Sequence, residues 1–181
     1  LEYDTFDQLR DYCRRSADPV GRIVLYLCEA VCDRNFTWSD SICTGLQLAN
    51  MWQDVARDFD IGRIYLPRED RERFGYSDAA LRSRTTNEAF LALMEFEVGR
   101  ARGFLTSGLP LADVVPGRLR IDIELFAQGG LAILREIERI GYRVWDRRPV
   151  LGKRHLAGLL LRTVWRRVTR RGGAPNSPAA F

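Results

Sequence analysis

The sequence predicts an all-α protein. Apolar residues recur at helical spacing through most of its length, and residues that start helices stand ahead of those runs. No alternating apolar–polar run is long enough for a useful strand. Internal repeats and a glycine-rich phosphate loop are also missing from the 181 residues.

The elements follow in order. Thr5, with Gln8 three residues later, forms a capping box for a helix through Tyr12 to about Ser16. Asp18-Pro19 reads as a cap with proline at the first helical position. The helix that follows should reach about Asp33 and bury Val20, Ile23, Val24, Leu27 and Val31. Polar Asn35 to Asp40 reads as a turn into a central helix that stops near Asp60, before Gly62. A short helix spans Glu69 to Phe74, and Ser77 caps another. Thr86 should cap a long helix through Phe90, Leu93, Met94, Glu97 and Ala101, ending near Gly108. Pro116 starts one running to Ile140, with Gly141 as its C-cap. A last helix is expected over about residues 152–171, and the Gly- and Pro-containing stretch 172–181 reads as a disordered tail.

Composition narrows the class. With 46% hydrophobic residues this is one globular domain, and no apolar run is long enough to span a bilayer. Cys13, Cys28, Cys32 and Cys43 form no Cys-x-x-Cys pair, and the only histidine, His155, is far away, which argues against a zinc site. Buried free thiols in a reducing, cytoplasmic compartment are expected. The net charge of +4 is uneven: ten Lys or Arg and a single acid lie between Arg143 and Arg171. Such an end suits phosphate-bearing substrates, anionic lipid or mere solubility, with nucleic acid the least favoured partner.

The chemistry concentrates in one stretch. At the helical step of about 100° per residue, Gln47, Asn50, Asp54 and Asp58 fall within an arc of roughly 80°. Met51 and Val55 edge that stripe, with Trp52, Leu48 and Phe59 further round. Carboxylates repeated on one face repel by several tenths of a kcal/mol per pair, so something must offset them. Hard oxygen donors without His or Cys suit Mg²⁺ or Mn²⁺ held jointly with substrate phosphates. The simpler reading is a solvated acidic face paired with Arg57 and Arg63. Against it stand the aligned amides, which add little helix propensity, and the apolar edge, which marks an interior.

The run Gln47-x-x-Asn50-x-x-x-Asp54-x-x-x-Asp58, followed by Arg63-Ile64-Tyr65-Leu66-Pro67, resembles the second aspartate-rich motif of the squalene/phytoene synthases. Tyr12-Cys13, Ala17 and Val20-Gly21 resemble a second landmark of that family, and Gly141-Tyr142 with Asp146-Arg147 also fits. The resemblance implies an isoprenoid-synthase helical bundle. It implies Mg²⁺ ligation by Asn50, Asp54 and Asp58, with Asp54, Asp58 and Tyr142 as catalytic residues. Gln47, Arg57, Arg63, Tyr65, Tyr12, Val20 and Gly21 are its substrate-binding candidates. Each has a plainer alternative: Arg57 and Arg63 as salt bridges to the acids, the tyrosines as amphipathic core, and Val20-Gly21 as close helix packing.

Three departures shape the expectation. The family's first aspartate-rich motif should lie some tens of residues before Tyr12, yet only eleven residues precede it. Residues 1–171 are therefore expected to be the C-terminal part of one such domain lacking its N-terminal helices, or else a non-catalytic relative serving as an assembly or lipid-binding module. Gln53 stands where many members carry Arg, and the run Asn50 to Asp58 is most similar to the hydroxysqualene branch of hopanoid synthesis. No nicotinamide-binding signature is present, which points to water rather than NADPH hydride ending the reaction. The expected substrate is presqualene diphosphate, or farnesyl diphosphate for a condensing synthase. Arginines among leucines in the stretch Lys153 to Arg171 suggest peripheral contact with an anionic membrane face.

Overall fold

A computed structural model describes residues 1–152. Among them nine helices are connected by short turns: α1 (Phe6–Ser16), α2 (Asp18–Leu27), α3 (Asp33–Gln53), α4 (Val55–Asp60), α5 (Arg68–Arg73), α6 (Asp78–Arg82), α7 (Glu88–Gly108), α8 (Leu111–Val114) and α9 (Gly117–Arg139). No strand occurs among the described residues; the sole β feature is an isolated bridge between Glu2 and Ile64. The expected helix over 152–171 and tail over 172–181 fall almost wholly outside them.

The first helix starts as its sequence dictates. Thr5 Oγ1 accepts from the Gln8 amide at 3.3 Å, and Gln8 Oε1 reaches back to the Asp4 amide at 2.8 Å. Ser77 likewise caps α6, whereas α7 is capped by the Asn87 side chain rather than by Thr86.

The bundle is organised by α3, which packs on α1, α2, α7, α8 and α9. It approaches α7 closely at two glycines: a Cβ on Gly45 would stand 2.9 Å from the Leu105 backbone nitrogen, and one on Gly108 2.6 Å from the Trp38 carbonyl oxygen. The main core gathers Leu9, Leu48, Trp52, Phe90, Leu93, Met94, Leu105 and Leu134; a second, around Leu25, Ile42, Leu111 and Leu119, seals the other end. A buried charge network joins α5 to α7: Arg100 donates to Asp70 at 2.7 Å and to Glu97 at 3.0 Å.

Four expectations are corrected. Asn35 to Asp40 is not a turn, because α3 already begins at Asp33. The reason lies just upstream: Glu29 takes a left-handed conformation and the Ala30 amide bonds to the Leu25 carbonyl, closing α2 six residues early. Second, the apolar stripe of α2 is uncovered: Val20 is 61% exposed, Ile23 57% and Leu27 79%, with Val24 and Val31 also open. The helix packs instead through Gly21, Leu25 and Asp18, whose buried carboxylate accepts from Thr44 Oγ1 at 2.9 Å. Third, only Cys13 of the four free thiols is fully buried, and Cys32 is exposed. Fourth, the central helix is interrupted at Asp54, whose φ of −106° and ψ of 15° separate α3 from α4.

Candidate active site

The interruption at Asp54 keeps the spacing of the polar stripe. The Asp54 amide still bonds to the Asn50 carbonyl at 3.0 Å and the Asp58 amide to the Asp54 carbonyl at 2.9 Å. Asn50, Asp54 and Asp58 thus remain one turn apart along a single ridge, with Gln47 a turn before them. The wall beside the ridge is apolar, as its spacing foretells: Leu48, Met51, Trp52 and Val55 are all buried. Met51, Trp52, Val55, Asp58, Phe59 and Trp145 line one hollow.

The two carboxylates are held differently. Asp54 receives the Arg148 fork, Nε to Oδ1 at 2.6 Å and Nη2 to Oδ2 at 3.1 Å, with Arg57 Nη1 at 3.7 Å. Asp58 accepts no side-chain hydrogen bond and makes no ion pair among the described residues. Desolvation first, and the neighbouring Asp54 charge second, push its carboxyl above the usual range, with Arg63 acting against them. The Trp52 indole N–H is also buried without a partner among those residues.

Tyrosines close one side. The Tyr12 and Tyr65 rings lie 6.0 Å apart, and Tyr3 lies 5.9 Å from Tyr12 and 6.0 Å from Tyr65. Tyr65 is pushed up to about 12 by burial, then by its hydrogen bond to Tyr12, and it feels both Arg63 and Asp58. Arg63 is exposed and fixed by its own amide, which donates to the Asp58 carbonyl at 2.8 Å.

The structure therefore brings Asn50, Asp54, Asp58, Arg57, Arg63, Tyr65 and Tyr12 into one neighbourhood, with Gln47 along the same ridge. Gly21 serves close packing: a Cβ there would lie 2.4 Å from Ser39 Oγ and 2.6 Å from Cys43 Sγ. Val20 beside it faces outward. Tyr142 stands apart. Its charged neighbours are Glu95, Glu138 and Arg102 on α7 and α9, rather than Asp54 or Asp58, and its φ of 59° belongs to the turn that ends α9.

Sequence reasoning missed Arg148, Trp145 and Tyr3. The first two arrive on the stretch after α9, where Trp145 Nε1 donates to Tyr76 Oη at 3.1 Å and its ring meets Phe59 edge-on at 5.4 Å. Helical periodicity carries no information about such a segment; the one signal was the local run of arginines.

The donor set fits a hard divalent cation. It offers an amide and two carboxylates without soft ligands, and among the described residues Asp58 has no side-chain partner; no group of three or more His, Cys, Asp or Glu side chains gathered for a metal occurs among those residues.

An all-helical bundle carrying an oxygen-donor ridge against an apolar wall has the architecture of the isoprenoid synthases. The chain belongs to the squalene/phytoene synthase family, whose members process prenyl diphosphates; the family model matches residues 1–155. It is 45% identical to squalene synthase HpnC from Alicyclobacillus acidocaldarius, with a TM-score of 0.76 over 78% of this chain and 54% of that one. It is 35% identical to a phytoene synthase of Arthrospira platensis over 81% of this chain and 52% of the relative. To a hydroxysqualene synthase of Sinorhizobium fredii it is 32% identical over 88% of this chain and 52% of the relative. The chain spans about half the length of these relatives.

Proposed function

We propose that the protein acts on a prenyl diphosphate with Asn50, Asp54 and Asp58 as ligands for Mg²⁺ or Mn²⁺, and that it converts presqualene diphosphate to hydroxysqualene. The observation that carries this is the ridge itself: two carboxylates a turn apart, one of them desolvated and without a side-chain partner among the described residues, beside the wall of Met51, Trp52 and Val55. A bound divalent cation neutralises charge on the departing diphosphate.

The remaining roles belong to the chain. Arg57 and Arg63, both exposed at the ridge, can bind diphosphate oxygens. The buried apolar wall of Trp52, Met51 and Val55 keeps water from the cation left on the hydrocarbon, which favours rearrangement over early capture. Tyr65, whose hydroxyl burial keeps protonated, and Tyr12 beside it can donate to phosphate or hold the water that ends the reaction. Water rather than NADPH hydride completes the chemistry in this reading.

A condensing squalene or phytoene synthase is the second reading, favoured by the 35% identity to the phytoene synthase. Product analysis with farnesyl diphosphate and with presqualene diphosphate, each with and without NADPH, separates the two. Hydroxysqualene from presqualene diphosphate alone supports the first; squalene or phytoene from condensation supports the second; no turnover of either supports a non-catalytic relative.

No helix among the described residues is long and apolar enough to cross a membrane. We infer a peripheral, salt-sensitive association with the inner membrane face through Arg166, Arg167, Arg170 and Arg171. It is tested by co-sedimentation with anionic vesicles before and after those four become Gln.

A further inference from the structure

We propose that Arg148 is a latch on Asp54, occupying the carboxylate until a cation displaces it and so setting metal affinity at the ridge. The proposal rests on the reading of Asp54 as a metal ligand.

Arg148 is not a wandering surface side chain. The stretch that carries it is held before and after: Trp145 is anchored on Tyr76 and Phe59, and the Pro149 carbonyl accepts from the buried Gln53 Nε2 at 2.7 Å. Gln53 is the residue next to Asp54, so this bond holds the stretch directly over the helix interruption. The Arg148 fork then meets both carboxylate oxygens, at 2.6 and 3.1 Å, on a side chain only 13% exposed. Its counterpart Asp58 has no hydrogen-bonded or ion-paired side chain among the described residues.

A bidentate guanidinium takes the facing lone pairs of both oxygens, the positions that a cation would use. A cation must therefore move the fork aside or bind next to its charge, and either route weakens binding. An orienting role would do the opposite: an arginine that held the carboxylate ready would strengthen binding.

The test measures Mn²⁺ affinity by the loss of the free-ion electron paramagnetic signal, on purified parent, Arg148→Gln, Arg148→Lys and Asp54→Asn proteins. Helicity is checked by circular dichroism. The latch requires Arg148→Gln to bind Mn²⁺ about fivefold more tightly than the parent, the scale of a well-formed, partly exposed ion pair. Arg148→Lys, which keeps charge without the fork, should fall between them, and Asp54→Asn should bind more weakly. Equal or weaker binding by Arg148→Gln overturns the latch; if Asp54→Asn still weakens binding, the metal reading survives that result. If Asp54→Asn leaves Mn²⁺ binding unchanged, the metal reading falls and the latch with it. Should Arg148→Gln not fold, Arg148→Lys decides: tighter than parent upholds the latch, no tighter overturns it.

Discussion

The buried Gln53 amide donates to the Pro149 carbonyl across 96 residues of sequence, and through it the end of the described chain is tied to the break between α3 and α4. Gln53→Ala should leave the Pro149 oxygen without its donor and cost about 1–3 kcal/mol. Denaturant melts should show that loss. Amide exchange should rise over residues 145–150 more than within α7; unchanged exchange there would refute the tie.

The unequal surroundings of the two acids predict unequal stability effects. Asp54→Asn strips Arg148 of its charged partner and should lower stability by about 1 kcal/mol. Asp58→Asn removes a desolvated, unpartnered charge beside another acid and should leave the melting temperature unchanged or slightly higher. If both are metal ligands, turnover of a prenyl diphosphate should fall by about two orders of magnitude or more in each. Retention of activity within a factor of a few at saturating Mg²⁺ would remove that residue from the ligand set.

Burial holds the Glu97 carboxyl far above its ordinary range, at about 8, with Arg100 lowering it and Asp70 raising it. Unfolded glutamate gives up its proton near 4.3. Between those values the folded chain binds more protons than the unfolded one, so this group's contribution to stability is full below about pH 4. It is lost progressively as pH rises toward 8. Glu97→Gln should therefore flatten the decline of melting temperature between pH 5 and pH 8. An unaltered slope would show that Glu97 is ionised within its network.

At the α2–α3 crossing, Gly21→Ala should cost about 1–3 kcal/mol, because the new methyl meets Ser39 Oγ and Cys43 Sγ well inside contact distance. Replacing Ser39 and Cys43 by Ala in the same chain should recover part of that loss. A stability unaffected by Gly21→Ala would mean that α2 is free to slide.

The sequence is most informative where one helix is concerned. The spacing of Gln47, Asn50, Asp54 and Asp58 fixes a shared face whatever surrounds it, and Thr5 and Ser77 announce their caps by chemistry local to a few residues. It is silent on coverage. The stripe Val20, Ile23, Leu27 has the periodicity of a buried face, yet period alone cannot say whether a partner lies against it. It is equally silent on contacts between distant, irregular segments, which is why the Arg148–Asp54 pair cannot be read from it and why it does not place Tyr142 beside Glu95, Glu138 and Arg102. The helix interruption at Asp54 was invisible too, since no Pro or Gly marks it.

The order in which the chain emerges from the ribosome gives the Asp54–Arg148 pair a further meaning. The acid is made 94 residues before its counter-charge. At about 5–20 residues per second, the ridge exists for roughly 5–20 s with Asp54 lacking its guanidinium fork. During that interval α3 can already meet α1 and α2, but of the two arginines beside Asp54 only Arg57 has been translated. A nascent chain stalled short of residue 148 would therefore offer a divalent ion a more open ridge than the finished one does.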